Sequence, residues 1–333
     1  MRLGLIGLGR IGAFHARTLT DLPVVDSLVV TDAVPAVTGG VAARLGAEPA
    51  DTPAALLAAG VDGVVVAAAT DAHPSLILGA VEAGLPVFCE KPVARTMAEG
   101  LEVQRRVEAA GVPVHIGYQR RFDAAFQAAR AAVTSGELGW LHTVRATTLD
   151  PAPPPAAYVA VSGGIFRDCS VHDFDSIRWV TGREVVEVYA TGANRGDELF
   201  ARAGDVDTSA AVLTLDDGTL VLVSNTRYNP RGYDVRLEVH GSKDSIAVGL
   251  EKKLPLRSVE PLATFPLGEP HRLFMDRFLA AYRSELDVFT ELVAGDRSSP
   301  CTVADALEAD LIAEACGLSL REHRPVQIDE VKP

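Results

Sequence analysis

The sequence predicts an α/β fold in two domains: an N-terminal doubly wound Rossmann domain over residues 1–120, and a C-terminal α+β domain over residues 121–333 with an open, mostly antiparallel sheet. Up to about residue 120, continuous Val-rich runs alternate with helix-like stretches, as in parallel sheets buried on both faces. Beyond about residue 140, longer strand-like segments partly alternate apolar and polar residues, which is typical of an antiparallel sheet with one solvated face. A chain of 333 residues can form a core in each domain.

The first half of the chain contains five strand candidates and four intervening helix candidates. The strand candidates are RLGLIGL, SLVVTD, VDGVVVAAA, LPVFCE and VPVHIGY. The helix candidates are IGAFHARTLT, VPAVTGGVAARLG, HPSLILGAVEAG and TMAEGLEVQRRVEAAG. Strand and helix therefore succeed each other as in βαβ units, which favours a parallel sheet with helices on its faces.

The second half begins with strand candidates and ends with two long helices. The strands are expected within WLHTVRATTLD, EVVEVYATGAN, TSAAVLTLDDGTLVLVSNTRY and YDVRLEVHGSKDSIAVGL. The DDG tripeptide predicts a hairpin, and the helices are expected at roughly 270–295 and 302–321. The stretch DPAPPPAAY is predicted to be a loop, because consecutive prolines do not continue regular structure, and it could border a site.

Composition excludes several classes of function. A net charge of −13 and a pI of about 5.1 disfavour nucleic acid and anionic membranes as partners. The four cysteines form no C-x-x-C pair, so neither a metal site nor a disulfide framework is expected, and a reducing cytoplasm fits best. The N-terminal apolar run is interrupted by Arg2 and glycines, and it predicts a first strand rather than a signal peptide. No apolar run reaches membrane-spanning length.

The GLGRIG segment has the G-x-G-x-x-G spacing of a dinucleotide-binding loop between a strand and a helix. Gly7 would allow the tight turn, Gly9 the close approach of a pyrophosphate, and Gly12 close packing of helix on strand. A glycine-rich turn without a ligand is the alternative interpretation. The predicted cofactor contacts in this loop are Gly7, Leu8, Gly9, Arg10, Ile11 and Gly12.

Polar residues at the ends of two further strands extend this prediction. Asp32 ends the second strand, twenty residues after Gly12, where a carboxylate can accept hydrogen bonds from an adenosine ribose. It would repel a 2′-phosphate, so NAD is favoured over NADP; the alternative role is helix capping. Thr70 and His73 follow the strand candidate VDGVVVAAA and are predicted cofactor contacts, although Thr70 or Asp71 could equally cap a helix.

Two further segments carry groups suited to acid–base chemistry. CEKPVA ends an apolar strand with Glu90 and Lys91, and charges there are costly to bury unless they are paired or functional. In GGIFRDCSVHDFDSIRWV, Asp168 and His172 are four residues apart and would share one face of a helix. A carboxylate there can orient an imidazole that acts as a general base. A packed, salt-bridged histidine is the alternative.

GLGRIG, EKP and GGIFRDCSVHDFD, in this order, resemble the Gfo/Idh/MocA oxidoreductase family, and within it the inositol 2-dehydrogenases. The resemblance covers essentially the whole chain and includes GYQRRFD at residues 117–123. It implies that Lys91 acts beside the nicotinamide and forms a triad with Asp168 and His172. It also implies cofactor contacts from Glu90 and Lys91, and a cis peptide bond between Lys91 and Pro92.

The resemblance implies NAD-dependent oxidation of a secondary alcohol of a cyclic polyol, with myo-inositol favoured and 2-keto-myo-inositol as product. His172 would take the hydroxyl proton, Lys91 would stabilise the developing alkoxide, and Asp168 would fix the imidazole tautomer. Two alternatives stay open: a dehydrogenase of another inositol isomer or of a pyranose sugar, and an NAD-binding sensor without turnover. The presence of all three residues disfavours the sensor.

Substrate contacts are expected from Arg121, Asp150 and Tyr233. Arg121 and Tyr233 match family positions, and Asp150 precedes the proline loop, where it can accept hydroxyl hydrogen bonds. The alternatives are a pairing of Arg121 with Asp123, a turn role for Asp150 and sheet packing for Tyr233. Few other hydroxyl-binding groups follow Asp150, which leaves the preferred isomer open. Tyr282 is expected in the core.

The half-polar sheet of the second domain predicts a homo-oligomer, either a dimer or a tetramer. A second subunit would cover the open face, and the expected contacts are Val212, Leu213, Val221 and Val223.

Overall fold

The computed structural model describes residues 1–263 and 267–332. They form two compact units: Met1–Gln119 with Tyr282–Leu307, and Arg120–Ala281 with Glu308–Pro333. The sequence-based division placed residues 282–307 in the second domain, whereas the structure packs them with the first unit. The reason is hydrophobic: Leu286 and Phe289 are fully buried in the same core as Leu3 and Leu5.

The first unit contains a six-stranded parallel sheet. Its strands are β1 Arg2–Ile6, β2 Ser27–Thr31, β3 Glu48–Pro49, β4 Gly63–Val66, β5 Val87–Glu90 and β6 Val114–Gly117. They are ordered β3-β2-β1-β4-β5-β6, so the order reverses between β1 and β4, which is where ligands bind in such folds. The five predicted strands are confirmed. The two-residue β3 was missed because both of its residues are exposed and carry no apolar signal.

The second unit contains a seven-stranded sheet that is mostly antiparallel. Its strands are β7 Leu141–Leu149, β8 Val185–Ala193, β9 Thr208–Leu215, β10 Leu220–Thr226, β11 Asp234–Gly241, β12 Ser245–Val248 and β13 Val326–Gln327. The order is β12-β11-β7-β10-β9-β8-β13, and only β7 and β10 pair in parallel. The predicted hairpin is confirmed between β9 and β10, where Gly218 adopts φ +87°.

Some helices follow the predicted periodic segments, but three were not predicted, at Pro53–Leu57, Ala124–Thr134 and Leu199–Arg202. The helix expected at 270–295 is divided in two, and residues 156–158 of the stretch predicted to be a loop are helical. The helices are α1 Arg10–Thr20, α2 Pro35–Leu45, α3 Pro53–Leu57, α4 His73–Glu82, α5 Met97–Ala110, α6 Ala124–Thr134, α7 Ala156–Val159, α8 Val171–Thr181, α9 Leu199–Arg202, α10 Phe274–Arg277, α11 Leu279–Ala294 and α12 Val303–Glu322. Caps fix their ends: α5 begins at a reciprocal Thr96–Glu99 capping box and ends at Gly111 with φ +66°. Tyr282 on α11 is buried against Phe14, which confirms its predicted core position.

One part of the predicted subunit contact is wrong. Leu213, Val221 and Val223 are buried on the inner face of the second sheet, whereas Val212 is 45% exposed on the outer face. Successive residues of a strand point to opposite faces, so a set that includes both Val212 and Leu213 cannot form one contact surface.

A different set of apolar residues forms the outer surface. Tyr189 on β8 pairs with Val212 on β9, which pairs with Leu222 on β10, and this cross-strand row is exposed. Leu220 lies on the same face of β10 and is also exposed. We call these four residues the outer patch.

Two kinds of feature, a membrane-spanning helix and a metal cluster, are absent from the residues that the structure describes. No helix within residues 1–263 and 267–332 is long and apolar enough to cross a membrane. The same residues contain no cluster of His, Cys, Asp or Glu side chains suited to a metal ion.

Candidate active site and dinucleotide loop

The glycine loop between β1 and α1 needs its glycines for different reasons. Gly7 has φ +93°, and a Cβ there would lie 2.5 Å from the Ala68 backbone. A Cβ on Gly12 would overlap the carbonyl oxygen of Gly7. A Cβ on Gly9 would instead meet open space. The fold therefore requires Gly7 and Gly12, while Gly9 leaves the loop open to a ligand.

The start of α1 is suited to an anionic group. Gly9 is its N-cap residue and supplies no side-chain hydrogen bond, and the first turn contains no acidic residue. The first backbone N–H groups of a helix have no partners within the helix, and its dipole favours negative charge there. The loop therefore fits the pyrophosphate of a dinucleotide.

Asp32 ties the glycine loop to the end of β2. Its Oδ2 accepts a hydrogen bond from the Leu8 N–H at 2.7 Å, and its Oδ1 accepts one from the Val34 N–H at 2.9 Å. The helix-capping alternative does not hold, because the N-cap of α2 is Val34. Since each carboxylate oxygen can accept more than one hydrogen bond, Asp32 retains capacity for ribose hydroxyls.

His73 is held by backbone carbonyls behind the same edge of the sheet. Its Nδ1 lies 2.7 Å from the Pro92 oxygen and its Nε2 lies 3.0 Å from the Ala68 oxygen. The ring is almost fully buried, so it links the segment after β4 to the segment after β5. Thr70 opens a 3₁₀ turn and its side chain does not cap it. Direct cofactor contacts from Thr70 and His73 stay predictions.

Glu90 is paired with a buried histidine. Its Oε1 lies 2.6 Å from Nε2 of His15, a fully buried residue of α1. Nδ1 of His15 is buried without a hydrogen-bond partner among the described residues, so the N–H belongs on Nε2 and donates to Glu90. This pairing explains how a carboxylate can end an apolar strand, and it links the helix of the glycine loop to the strand that carries Lys91.

Lys91 directly follows β5 and is half-buried. The Lys91–Pro92 peptide bond is cis, which confirms that prediction. Because the strands of this sheet are parallel, their carboxyl ends share one edge, and Lys91 lies at the same edge as the glycine loop.

Asp168 lies in a π-helical turn, Phe166–Ser170, which leads directly into α8. The sequence predicted a regular helix here, whereas the structure has a wider turn in front of His172, the second residue of α8. Asp168 Oδ1 accepts a hydrogen bond from the Tyr158 hydroxyl at 2.7 Å. Its Oδ2 accepts one from Arg227 Nη2 at 2.8 Å. The orientation of His172 by Asp168 stays a prediction.

Arg227 is a candidate site residue that the sequence did not reveal. It follows β10, its side chain is 5% exposed, and its Nη1 donates to Asp150 Oδ2 at 2.7 Å while Nη2 donates to Asp168. Burial alone would lower the pKa of the guanidinium, but the neighbouring carboxylates dominate and raise it, so Arg227 stays charged. The only sequence signal is a cation directly after an alternating strand.

The predicted substrate residues differ in accessibility. Asp150 is the most exposed, with 23% of its side chain accessible. Arg121 is buried and donates from Nε and Nη2 to Asp175, not to Asp123 as in the alternative interpretation. Tyr233 is buried between Phe274 and Phe278, and burial raises the pKa of its hydroxyl. Substrate contact stays a prediction for all three, and burial disfavours it for Arg121 and Tyr233.

A further buried ion pair, between Arg120 and Asp173, lies in the same unit. Arg120 Nη1 donates to Asp173 at 2.6 Å, and Asp173 also accepts from Thr148 and Asn225. The network joins β7, β10 and α8, and truncating either member of the ion pair would leave the other charge buried and unpaired. The sequence analysis did not identify this pair, because its partners are 53 residues apart.

Comparisons with known proteins cover both halves of the chain. Residues 1–118 match the GFO_IDH_MocA family, described as an oxidoreductase family with an NAD-binding Rossmann fold, and residues 126–247 match the GFO/IDH/MocA C-terminal domain. Myo-inositol 2-dehydrogenase of Thermotoga maritima is 36% identical over 99% of both chains. Myo-inositol dehydrogenase Hyg17 of Streptomyces leeuwenhoekii is 39% identical over 96% of this chain and 98% of its own.

A solved structure extends the similarity to the fold. The crystal structure of scyllo-inositol dehydrogenase from Lactobacillus casei, with bound NAD(H) and scyllo-inositol, superposes with a TM-score of 0.88. It is 28% identical and covers 99% of both chains.

Proposed function

The chain belongs to the Gfo/Idh/MocA family of NAD-binding oxidoreductases, and from this we propose that it oxidises a ring hydroxyl of inositol with NAD. The favoured substrate is myo-inositol and the product 2-keto-myo-inositol. The observation that carries the proposal is similarity over almost the full length to dehydrogenases named for inositol. An open loop at Gly9 and the carboxylate of Asp32 support NAD as the cofactor.

In the proposed reaction His172 removes the hydroxyl proton. Lys91 donates a hydrogen bond to the same oxygen and stabilises the negative charge that develops there. Asp168 orients the imidazole and supports its protonated form. NAD, when bound, supplies the hydride acceptor, and the protein supplies position and charge.

A comparison of four candidate substrates tests the proposed function. Initial rates of NADH formation are measured with myo-inositol, scyllo-inositol, D-chiro-inositol and glucose. The proposal predicts the highest kcat/KM with myo-inositol. Glucose as the best substrate would indicate a sugar dehydrogenase. No turnover with any of the four, despite NAD binding, would indicate the sensor.

Replacement of Asp32 by alanine tests the cofactor assignment. The change removes the proposed ribose acceptor and the negative charge that would repel a 2′-phosphate, so KM for NAD should rise roughly tenfold, as expected for loss of about one hydrogen bond to a charged group. The ratio of kcat/KM for NAD over NADP should fall by more than that factor. Because the alanine also frees the Leu8 N–H, Asp32→Asn is the matched variant that retains an acceptor. An unchanged ratio in both variants would contradict the assignment.

We further propose a homo-oligomer, dimer or tetramer, that acts in the cytoplasm in inositol catabolism. The support is the outer patch, an exposed apolar row on the second sheet. If a second subunit covers it, Leu222→Glu should place a charge in that contact and convert the oligomer to monomers in light scattering at micromolar concentration. Val24→Glu, at an exposed apolar residue of the first unit, is the control. A monomeric parent protein would overturn the proposal.

A further inference from the structure

Arg227 bridges two carboxylates although its own side chain is almost fully buried. Arg121 donates from Nε and Nη2 to the single carboxylate of Asp175, and Arg178 does the same with Glu184. Arg227 instead divides its two Nη groups between two carboxylates, those of Asp150 and Asp168. Its Nε is buried and has no hydrogen-bond partner among the described residues.

This arrangement is less favourable than a side-on pair. A buried donor without a partner destabilises the fold, and such a group in a native protein calls for an explanation. The guanidinium also holds two negative charges with one positive charge, so the cluster of three residues retains a net charge of about −1. The division of Nη1 and Nη2 has one geometric effect: a planar, rigid group fixes the positions of the two carboxylates relative to each other.

Both carboxylates lie where a regular element begins or ends. Asp150 follows the last residue of β7 and precedes the proline loop. Asp168 lies in the π-helical turn, which begins after Gly163 and Gly164, both with positive φ. Asp168 also accepts a hydrogen bond from the hydroxyl of Tyr158, a residue that is 45% exposed. Arg227 follows the rigid strand β10 and is almost fully buried, so it is the anchor of the cluster.

We propose that Arg227 is a positioning residue for the oxidation: it holds Asp168 in the place from which it orients His172, and it holds Asp150 at the mouth of the proline loop. This inference rests on the proposed function for the role of Asp168. It goes beyond the family resemblance, which supplies the roles of Lys91, Asp168 and His172 and does not involve Arg227.

Two substitutions test the inference kinetically. Arg227→Gln removes the positive charge and the planar guanidinium that donates to both carboxylates. The kcat should therefore fall roughly 100-fold, the scale expected when a reacting group is displaced by about 1 Å. The Kd for NADH, measured by calorimetry, should stay within about twofold. Arg227→Lys keeps the charge but cannot fix both carboxylates, so its kcat should lie between that of the parent and that of Arg227→Gln. The control is Arg178→Gln, which breaks a side-on pair between a buried arginine and an exposed glutamate and should retain kcat.

A second readout does not depend on turnover. Hydrogen–deuterium exchange of the amides in Phe166–Ser170 should accelerate at least tenfold in Arg227→Gln and in Arg227→Lys to a lesser extent, but not in Arg178→Gln. If the parent protein oxidises no polyol, the proposed function fails, and exchange alone decides whether Arg227 holds the turn. A parent-like kcat in Arg227→Lys with parent-like exchange would overturn the inference, even if Arg227→Gln does not fold. An equal loss of kcat in Arg178→Gln would also overturn it.

Discussion

Replacement of His172 by alanine is expected to lower kcat for polyol oxidation by roughly 10²–10⁴-fold, the usual contribution of a general base. The imidazole is the proposed acceptor of the hydroxyl proton, and alanine at the start of α8 has no group to replace it. Because His172 is not among the proposed cofactor contacts, the Kd for NADH should change little. Stopped-flow single-turnover rates with saturating NAD would measure the effect on the chemical step directly.

The matched control is His142→Ala, which removes an exposed histidine of β7 in the same unit. That variant should retain the parent kcat. A His172→Ala protein that folds, binds NADH and turns over at a rate close to that of the parent would show that another group removes the proton.

Replacement of Lys91 by methionine is the second change with a large expected effect. Methionine preserves much of the side-chain length but cannot donate a hydrogen bond or stabilise an alkoxide, so kcat should fall roughly 10²–10³-fold, as for loss of a donor that stabilises developing charge. The effect should appear in kcat more than in KM, since the interaction strengthens as charge develops. Parallel measurements of kcat and KM with myo-inositol test this.

Lys91→Arg tests whether a positive charge at this position is sufficient for activity. Arginine keeps the positive charge but places it on a larger planar group, so partial activity is expected. Glu90→Gln is a further comparison, because it weakens the pairing with His15 while leaving Lys91 itself unchanged. If Lys91→Met retained the parent kcat, the lysine would have no part in the chemistry.

Local sequence patterns predicted the conformation of the glycine loop well. The positive φ of Gly7 and the close contact of Gly12 with the Gly7 oxygen both arise within one strand–turn–helix unit, whereas the contact of Gly7 with Ala68 does not. The position of Asp32 after β2 likewise follows from the spacing of a single βαβ unit. The cis bond before Pro92 was predicted from the family resemblance rather than from local physics.

Contacts between distant parts of the chain escaped prediction. Arg227 is separated by 59 residues from Asp168 and by 77 from Asp150. The alternation of β10 does not indicate that the arginine after its last residue is buried. His15 and Glu90 are 75 residues apart, so the partner of the strand-ending carboxylate could not be named. Pairing of buried charges depends on three-dimensional packing, which one sequence does not specify.

The prediction of the subunit contact was wrong for a different reason. The alternation of β9 and β10 was recognised, but the face that each residue occupies was not assigned. A shift of one residue moves a side chain from the core to solvent, so Leu213 and Val221 were placed on the wrong side while Val212 was placed correctly. In the same way, a π-helical turn at Phe166–Ser170 has no sequence signature that separates it from an α-helix.

The most direct test of the proposed chemistry is a crystal structure of the protein with NADH and myo-inositol bound. The proposal predicts one inositol oxygen within hydrogen-bond distance, about 2.6–3.2 Å, of both Lys91 Nζ and a ring nitrogen of His172, with its carbon facing the nicotinamide. An inositol bound with either side chain turned away from that oxygen, in crystals that form NADH when soaked with NAD and myo-inositol, would contradict the account.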